Sequence, residues 1–222
     1  MATASVPFIQ EAQPGTDIWK KPPATNVWNA SITRTTTGPL KKFRSARVTF
    51  RARWAERYDQ AGLLLVPRRG SSPSPSSSPP DKWVKTGVEF YGGAPQLSTV
   101  CCDRWADWSV APLSSSSTSA GGGDGGGGDD DEPVTIEAVR EGDENGKSAW
   151  VYRVVRDAGA EARVPLREIC WIFADEDAGG DDDDDDDDDW VLDVSPLVAR
   201  PEKDAAGPLR VEFLEFEVAW LP

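Results

Sequence analysis

The sequence predicts an all-β fold, a sandwich or a barrel. Roughly ten short stretches alternate apolar and polar residues with the period of a strand. Gly, Pro and Asn-Gly signals separate them, and no stretch carries a helical period.

Val6 to Val27 is rich in Pro and Trp. Phe8, Ile18, Trp19, Val27 and Trp28 pin this segment onto the sheet, and Trp28 to Thr35 reads as a first strand. Gly38-Pro39 marks a turn. Lys42 to Trp54 sets Phe43, Ala46, Val48, Phe50, Ala52 and Trp54 against Arg and Thr, a half-exposed strand. In Tyr58 to Val66, Ala61, Leu63 and Leu65 share one face; Tyr58, Gln60, Gly62 and Leu64 share the other. Lys82 to Phe90 divides the same way. Val84, Thr86, Val88 and Phe90 suit a core; Trp83, Lys85, Gly87 and Glu89 are an indole, an ammonium, a gap and a carboxylate.

Tyr91 to Pro95 is a turn and Leu97 to Cys102 a strand. Trp105 and Trp108 follow at a loop or strand end. Val134 to Arg140 and Ala149 to Val155 form a hairpin around Asn145-Gly146. Val164 to Phe173 is an apolar run, and Trp190 to Ala199 a strand. In the closing strand Leu209 to Trp220, Leu214, Phe216, Val218 and Trp220 share a face opposite Glu215, Glu217 and Ala219. Three low-complexity insertions, 67–81, 114–132 and 175–189, lie between strands and carry nothing to bury. The whole, 1–222, reads as a single domain.

Seventeen of the 38 acids sit in the second and third insertions, leaving 21 against 24 Lys and Arg. The formal charge of −14 therefore belongs to loops. Beyond the short strand stretch "KKFRSARVTFRAR", no basic patch is interleaved with aromatics as a nucleic-acid surface would be, and there is no membrane-length apolar run. With no His, Ser-His-Asp and Cys-His mechanisms and His-based metal sites are excluded. The three Cys give no disulfide framework or zinc spacing, which fits a reducing, cytoplasmic setting; Cys101 and Cys102 are expected to be buried. The Asp tract lacks calcium-loop spacing. Neither a cofactor nor a metal is expected.

The motifs "YDQAGLLLV", "DKWVKTGVEF" and "LSTVCCDRWADWSV", in that order, with the closing "PLRVEFLEFEV", resemble the regulation-of-enolase family. The resemblance spans about Trp19 to Trp220. It implies a concanavalin A-like lectin/glucanase fold, a jelly-roll β-sandwich of two antiparallel sheets, one of them curved. It also implies a fungal chain, as do the insertions, and by the family's name a metabolic enzyme, enolase, as partner. The chain departs from the family in the three insertions and at Cys101-Cys102.

Relatives of this fold bind sugars on the concave face; strand parity puts Tyr58, Gln60, Trp83, Lys85 and Glu89 away from the core, on the face that the resemblance implies is concave. With Trp105 and Trp108 they are the candidate ligand residues. A sugar needs donors and acceptors for its hydroxyls and flat rings for its C–H face. The expected ligand is carbohydrate-like or small and polar. Lys85 and Glu89 cannot pair with each other along one strand, since four residues span about 13 Å. Ordinary ion pairing with other strands is the competing explanation for both.

Glycoside hydrolysis needs two carboxylates. The glucanase pattern Glu-x-Asp-x-x-Glu is absent, and Glu89 has no second acid among its same-face neighbours. Asp59 falls on the core side, suited to a turn or backbone bond. No catalytic residue is assigned. A non-catalytic binding or regulatory protein is the leading expectation, with an enzyme using Glu89 and a structural interaction module as alternatives. The last predicts the face filled by the chain's own side chains.

Overall fold

The structure, a computed structural model, describes residues 2–5, 7–73, 78–113, 132–157, 159–176 and 190–222. The strands are β1 (Ala2–Ser5), β2 (Phe8–Ala12), β3 (Ile18–Lys21), β4 (Thr25–Trp28), β5 (Ser31–Ile32) and β6 (Thr36–Pro39). Next come β7 (Phe43–Ala52), β8 (Gln60–Arg69), β9 (Trp83–Tyr91), β10 (Ala94–Cys102) and β11 (Ala106–Pro112). The last are β12 (Val134–Asp143), β13 (Gly146–Asp157), β14 (Ala160–Ile169), β15 (Trp190–Ala199) and β16 (Leu209–Trp220). A 3-10 turn at Leu40–Lys42 is the one helical element among the described residues, and no helix there is long and apolar enough to cross a membrane.

The first sheet runs β1-β16-β7-β12-β13-β14, with β2 also on β16; the second runs β11-β10-β9-β8-β15-β5, with β6 also on β15. Pairing within both is antiparallel, as in a jelly-roll sandwich of the concanavalin A type. Between them lies the core: Val48, Phe50, Ile136, Val151, Phe213 and Val218 from the first sheet meet Leu63, Leu65, Val84, Val88 and Val194 from the second.

Strand parity holds in the second sheet, but its outer face is not open. Leu64, Val66, Trp83, Val100, Cys102 and Leu197 form a second apolar cluster with Ile18. The separate β3–β4 hairpin covers it, with Trp19 and Trp28 packed alongside. The sheet is therefore apolar on both sides, which explains why the first seven residues of β9 are all buried. Each fully buried large apolar side chain contributes ~1.5–3 kcal/mol. Ile18 and Trp83 together thus make lifting the hairpin cost about 3–6 kcal/mol, and fewer than about one molecule in a hundred has it raised. The hairpin is a fixed third layer.

The structure changes several other expectations. β16 shifts register between Phe213 and Glu215. Leu209, Val211 and Phe213 face the core before the bulge, Phe216 and Val218 after it, so Leu214 leaves the face it was expected to share with Phe216 and Val218. A bulge sets two residues opposite one and reverses the alternation. Pro67 to Arg69 belong to β8 rather than to an insertion; Arg68 donates to the buried Asp193 at 2.7 Å. Asp175 and Glu176 are likewise docked, on Lys82 and on Arg140 with Lys147. Of the predicted insertions, 74–77, 114–131 and 177–189 lie outside the described residues.

Candidate functional site

Gln60 opens β8, and its partner across the ladder is Glu89 on β9. Two residues along, Gly62 faces Gly87; two further, Leu64 faces Lys85. A Cβ on Gly62 would sit 2.0 Å from Thr86 O, and one on Gly87 2.0 Å from Ala61 O, so both positions require glycine. Beside them lies a gap of about 10 Å³ bordered by Gln60, Lys85, Gly87, Glu89, Ser98 and Leu197. That is room for about one water.

Lys85 and Glu89 are 5% and 6% exposed, and each has its own partners. The Lys85 Nζ donates to Gln60 Oε1 at 2.7 Å and to Asp17 Oδ1 at 3.2 Å. Gln60 Nε2 donates to the same Asp17 oxygen at 3.2 Å and to Tyr58 O at 3.1 Å. Ser98 Oγ donates to Glu89 Oε2 at 2.8 Å and accepts from Trp108 Nε1 at 3.0 Å. Burial pushes the Glu89 carboxyl above the ordinary glutamate range. The Lys85 ammonium and the Ser98 hydrogen bond pull it down, and the charge of Asp17 adds to the rise.

Toward the open end of β9 the face becomes aromatic. Tyr58 and Tyr91 stack with centroids 5.7 Å apart. Trp108 meets both edge-on, at 6.2 and 5.0 Å. The Arg57 guanidinium lies over Tyr58 at 4.6 Å and Tyr91 at 5.6 Å. Beside this cluster, Arg57, Phe90, Tyr91, Gly92 and Gly93 border a cleft of about 350 Å³.

Of the seven predicted residues, Tyr58, Gln60, Lys85, Glu89 and Trp108 come together in one connected row, but Gln60, Lys85 and Glu89 are buried rather than on an open face, and Lys85 makes an ion pair with Asp17, the competing explanation for it. Trp83 shares their strand face, but its indole is 1% exposed beneath Ile18 and Trp28. It is thus removed from the open face on which it was expected. Trp105 lies at the β10–β11 turn, one of the exposed large apolar side chains. Asp59 holds a backbone turn, as its parity suggested, and also a buried Arg200.

Sequence reasoning missed Asp17, Arg57, Tyr91 and Ser98 as members of the site. Parity already puts Tyr91 on the face of Glu89, although it was not counted among the ligand residues. Asp17 precedes a hairpin with no periodic signal, so nothing local announces that it brings a second carboxylate near Glu89.

Residues 4–121 match the model of a family described as protein of unknown function (DUF1349). An uncharacterized protein of Emericella nidulans is 41% identical over 170 residues, covering 77% of this chain and 70% of its own length. The chain belongs to this family. A crystal structure of a functionally unknown protein from Saccharomyces cerevisiae superposes with a TM-score of 0.60 at 19% identity, over 97% of this chain and 89% of that one. It shares the fold. The laminarinase catalytic domain of Thermotoga maritima MSB8 matches more loosely, with a TM-score of 0.46 at 10% identity, over 85% of this chain and 68% of its own.

Proposed function

We propose that the chain is a non-catalytic binding module. Its ligand, carbohydrate-like or small and polar, seats at the aromatic end of the outer face of the second sheet. The observation that supports this most is the junction of Tyr58, Tyr91 and Trp108 with the Trp108–Ser98–Glu89 hydrogen-bond chain, next to an open cleft. Ring faces and polar groups converge there as a sugar requires.

A second reading, a hydrolase using Glu89, would take Asp17, whose charge acts on Glu89, as its second carboxylate. Against it, Asp17 is already engaged by Lys85 and Gln60, and the gap lined by Glu89 takes a water rather than a substrate ring. Control of a glycolytic enzyme, enolase, is the finer form of the binding reading. It rests on the family resemblance alone.

Calorimetry of the purified chain against monosaccharides, short oligosaccharides and glycolytic intermediates tests the proposal. Tyr91→Ala and Trp108→Ala run beside it, with capture of purified enolase as a separate arm. Binding lost in both variants supports the site. No heat with any compound removes the small-ligand reading. Turnover of an oligosaccharide that stops in Glu89→Gln would replace it with the hydrolase.

A further inference from the structure

We infer that this site reads the end of a ligand chain and not its interior. The inference rests on the binding reading above and adds which part of a ligand the face accepts.

Successive same-face positions of β9 run from open to closed. Tyr91 stands at the rim beside Trp108. Glu89 follows, held by Ser98, and then the Gly87 gap. Lys85 comes next, tied to Asp17, and Trp83 lies beneath the hairpin. A ligand advancing along the strand therefore meets Asp17 and Trp19, whose ring lies 5.9 Å from the Lys85 ammonium. The flank toward β15 is blocked as well. Pro14 bridges Arg200 just beyond β15, Gly15 and Thr16 donate to Arg200 O, and Asp17 then bonds Gln60.

Two adjoining sides are thus shut by residues 14–28, with the hairpin raised in fewer than about one molecule in a hundred. Among the described residues, the openings left are the rim at Tyr91 and the part of the edge strand β11 at Trp108, which itself packs partly against the Ile18 cluster. A polymer crossing the face needs two opposed openings, and these are adjacent. What fits is one terminal unit, with its ring on the aromatic cluster and its end hydroxyls toward Glu89 and Ser98. The substrate class is a linear oligosaccharide or polyol presenting a free end.

The test compares linear maltohexaose with its cyclic counterpart, and linear with cyclic β-glucan, by calorimetry on the full chain. A linear series from the disaccharide to the hexasaccharide and the Trp108→Ala variant accompany them. The linear sugars are expected to bind at least about ten-fold more tightly than the cyclic ones. Affinity per mole of chain should level off within the first units, and Trp108→Ala should abolish binding. Cyclic sugars binding as tightly as linear ones, or affinity climbing with each added unit, overturns the inference while leaving the binding reading intact. Binding that survives Trp108→Ala lies elsewhere and overturns it too. If no sugar binds, the carbohydrate reading itself falls and this inference with it.

Discussion

Removing the Asp59 carboxylate should cost more stability than any surface change in this chain. Its side chain is fully buried and its Arg200 partner 9% exposed, so water does little to screen the pair. Arg200 grips it with two bonds, Nε at 2.8 Å and Nη2 at 2.6 Å. The same carboxylate accepts from the backbone N–H groups of Ala55 and Glu56 at 3.2 and 3.0 Å. Asp59→Ala strands a buried guanidinium, left with Gly207 O at 2.7 Å, and two unpaired amides. Breaking one partner of a buried pair costs about 3–5 kcal/mol. Asp59→Leu combined with Arg200→Met removes both charges and should recover much of that loss. Urea denaturation followed by tryptophan fluorescence measures all the variants. A loss under about 1 kcal/mol for Asp59→Ala, the value of an exposed pair, would refute the reasoning. So would a double variant no better than the single one.

Trp83→Ala should lower stability by about 3–5 kcal/mol, because it empties the cluster under the hairpin; a fully stable variant in the same denaturation assay would deny that cluster. Glu89 has a carboxyl pKa raised by burial, so the folded state holds its proton more tightly than the unfolded state does. Its favourable contribution is complete below the ordinary glutamate pKa and disappears as pH rises through the raised one. The stability of the wild type relative to Glu89→Gln should therefore fall from acid to neutral pH, and a flat or rising difference would contradict the burial. For the thiols, Cys170 is exposed while Cys101 and Cys102 are buried, and burial pushes the Cys101 thiol up to about 11. A disulfide reagent at neutral pH should titrate Cys170 alone in the native chain and all three thiols in denaturant; rapid reaction of Cys101 in the native state would count against the packing.

The sandwich was legible because antiparallel strands with one buried face print their alternation on the sequence. Lys42 to Trp54 and Val134 to Arg140 show it, and Asn145-Gly146 falls at the turn between β12 and β13. The parity of Lys82 to Phe90 also sorted its side chains onto the correct sides. What parity could not reveal is a second apolar layer. A strand covered on both faces still alternates in shape, and Trp83 looks the same under a hairpin as on an open cleft. The bulge at Phe213 escaped for a related reason: one extra residue leaves the composition unchanged and reverses every later side chain. In the site, Gln60, Lys85 and Glu89 were found because they share two adjacent strands. Asp17 was not, since it arrives by tertiary docking from a distant segment.

The place of β16 in the first sheet governs the order in which the molecule can be made. It pairs with β7 on one side and with β1 and β2 on the other, joining Ala2 to Ala219. These are among the most sequence-distant contacts in the chain, and such contacts form late and slowly. Residues 2–12 leave the ribosome long before residues 209–219, the only sheet partners they have among the described residues. Until β16 is made, β7 therefore exposes an open, apolar-backed edge, the kind that pairs with a neighbouring chain unless it is covered.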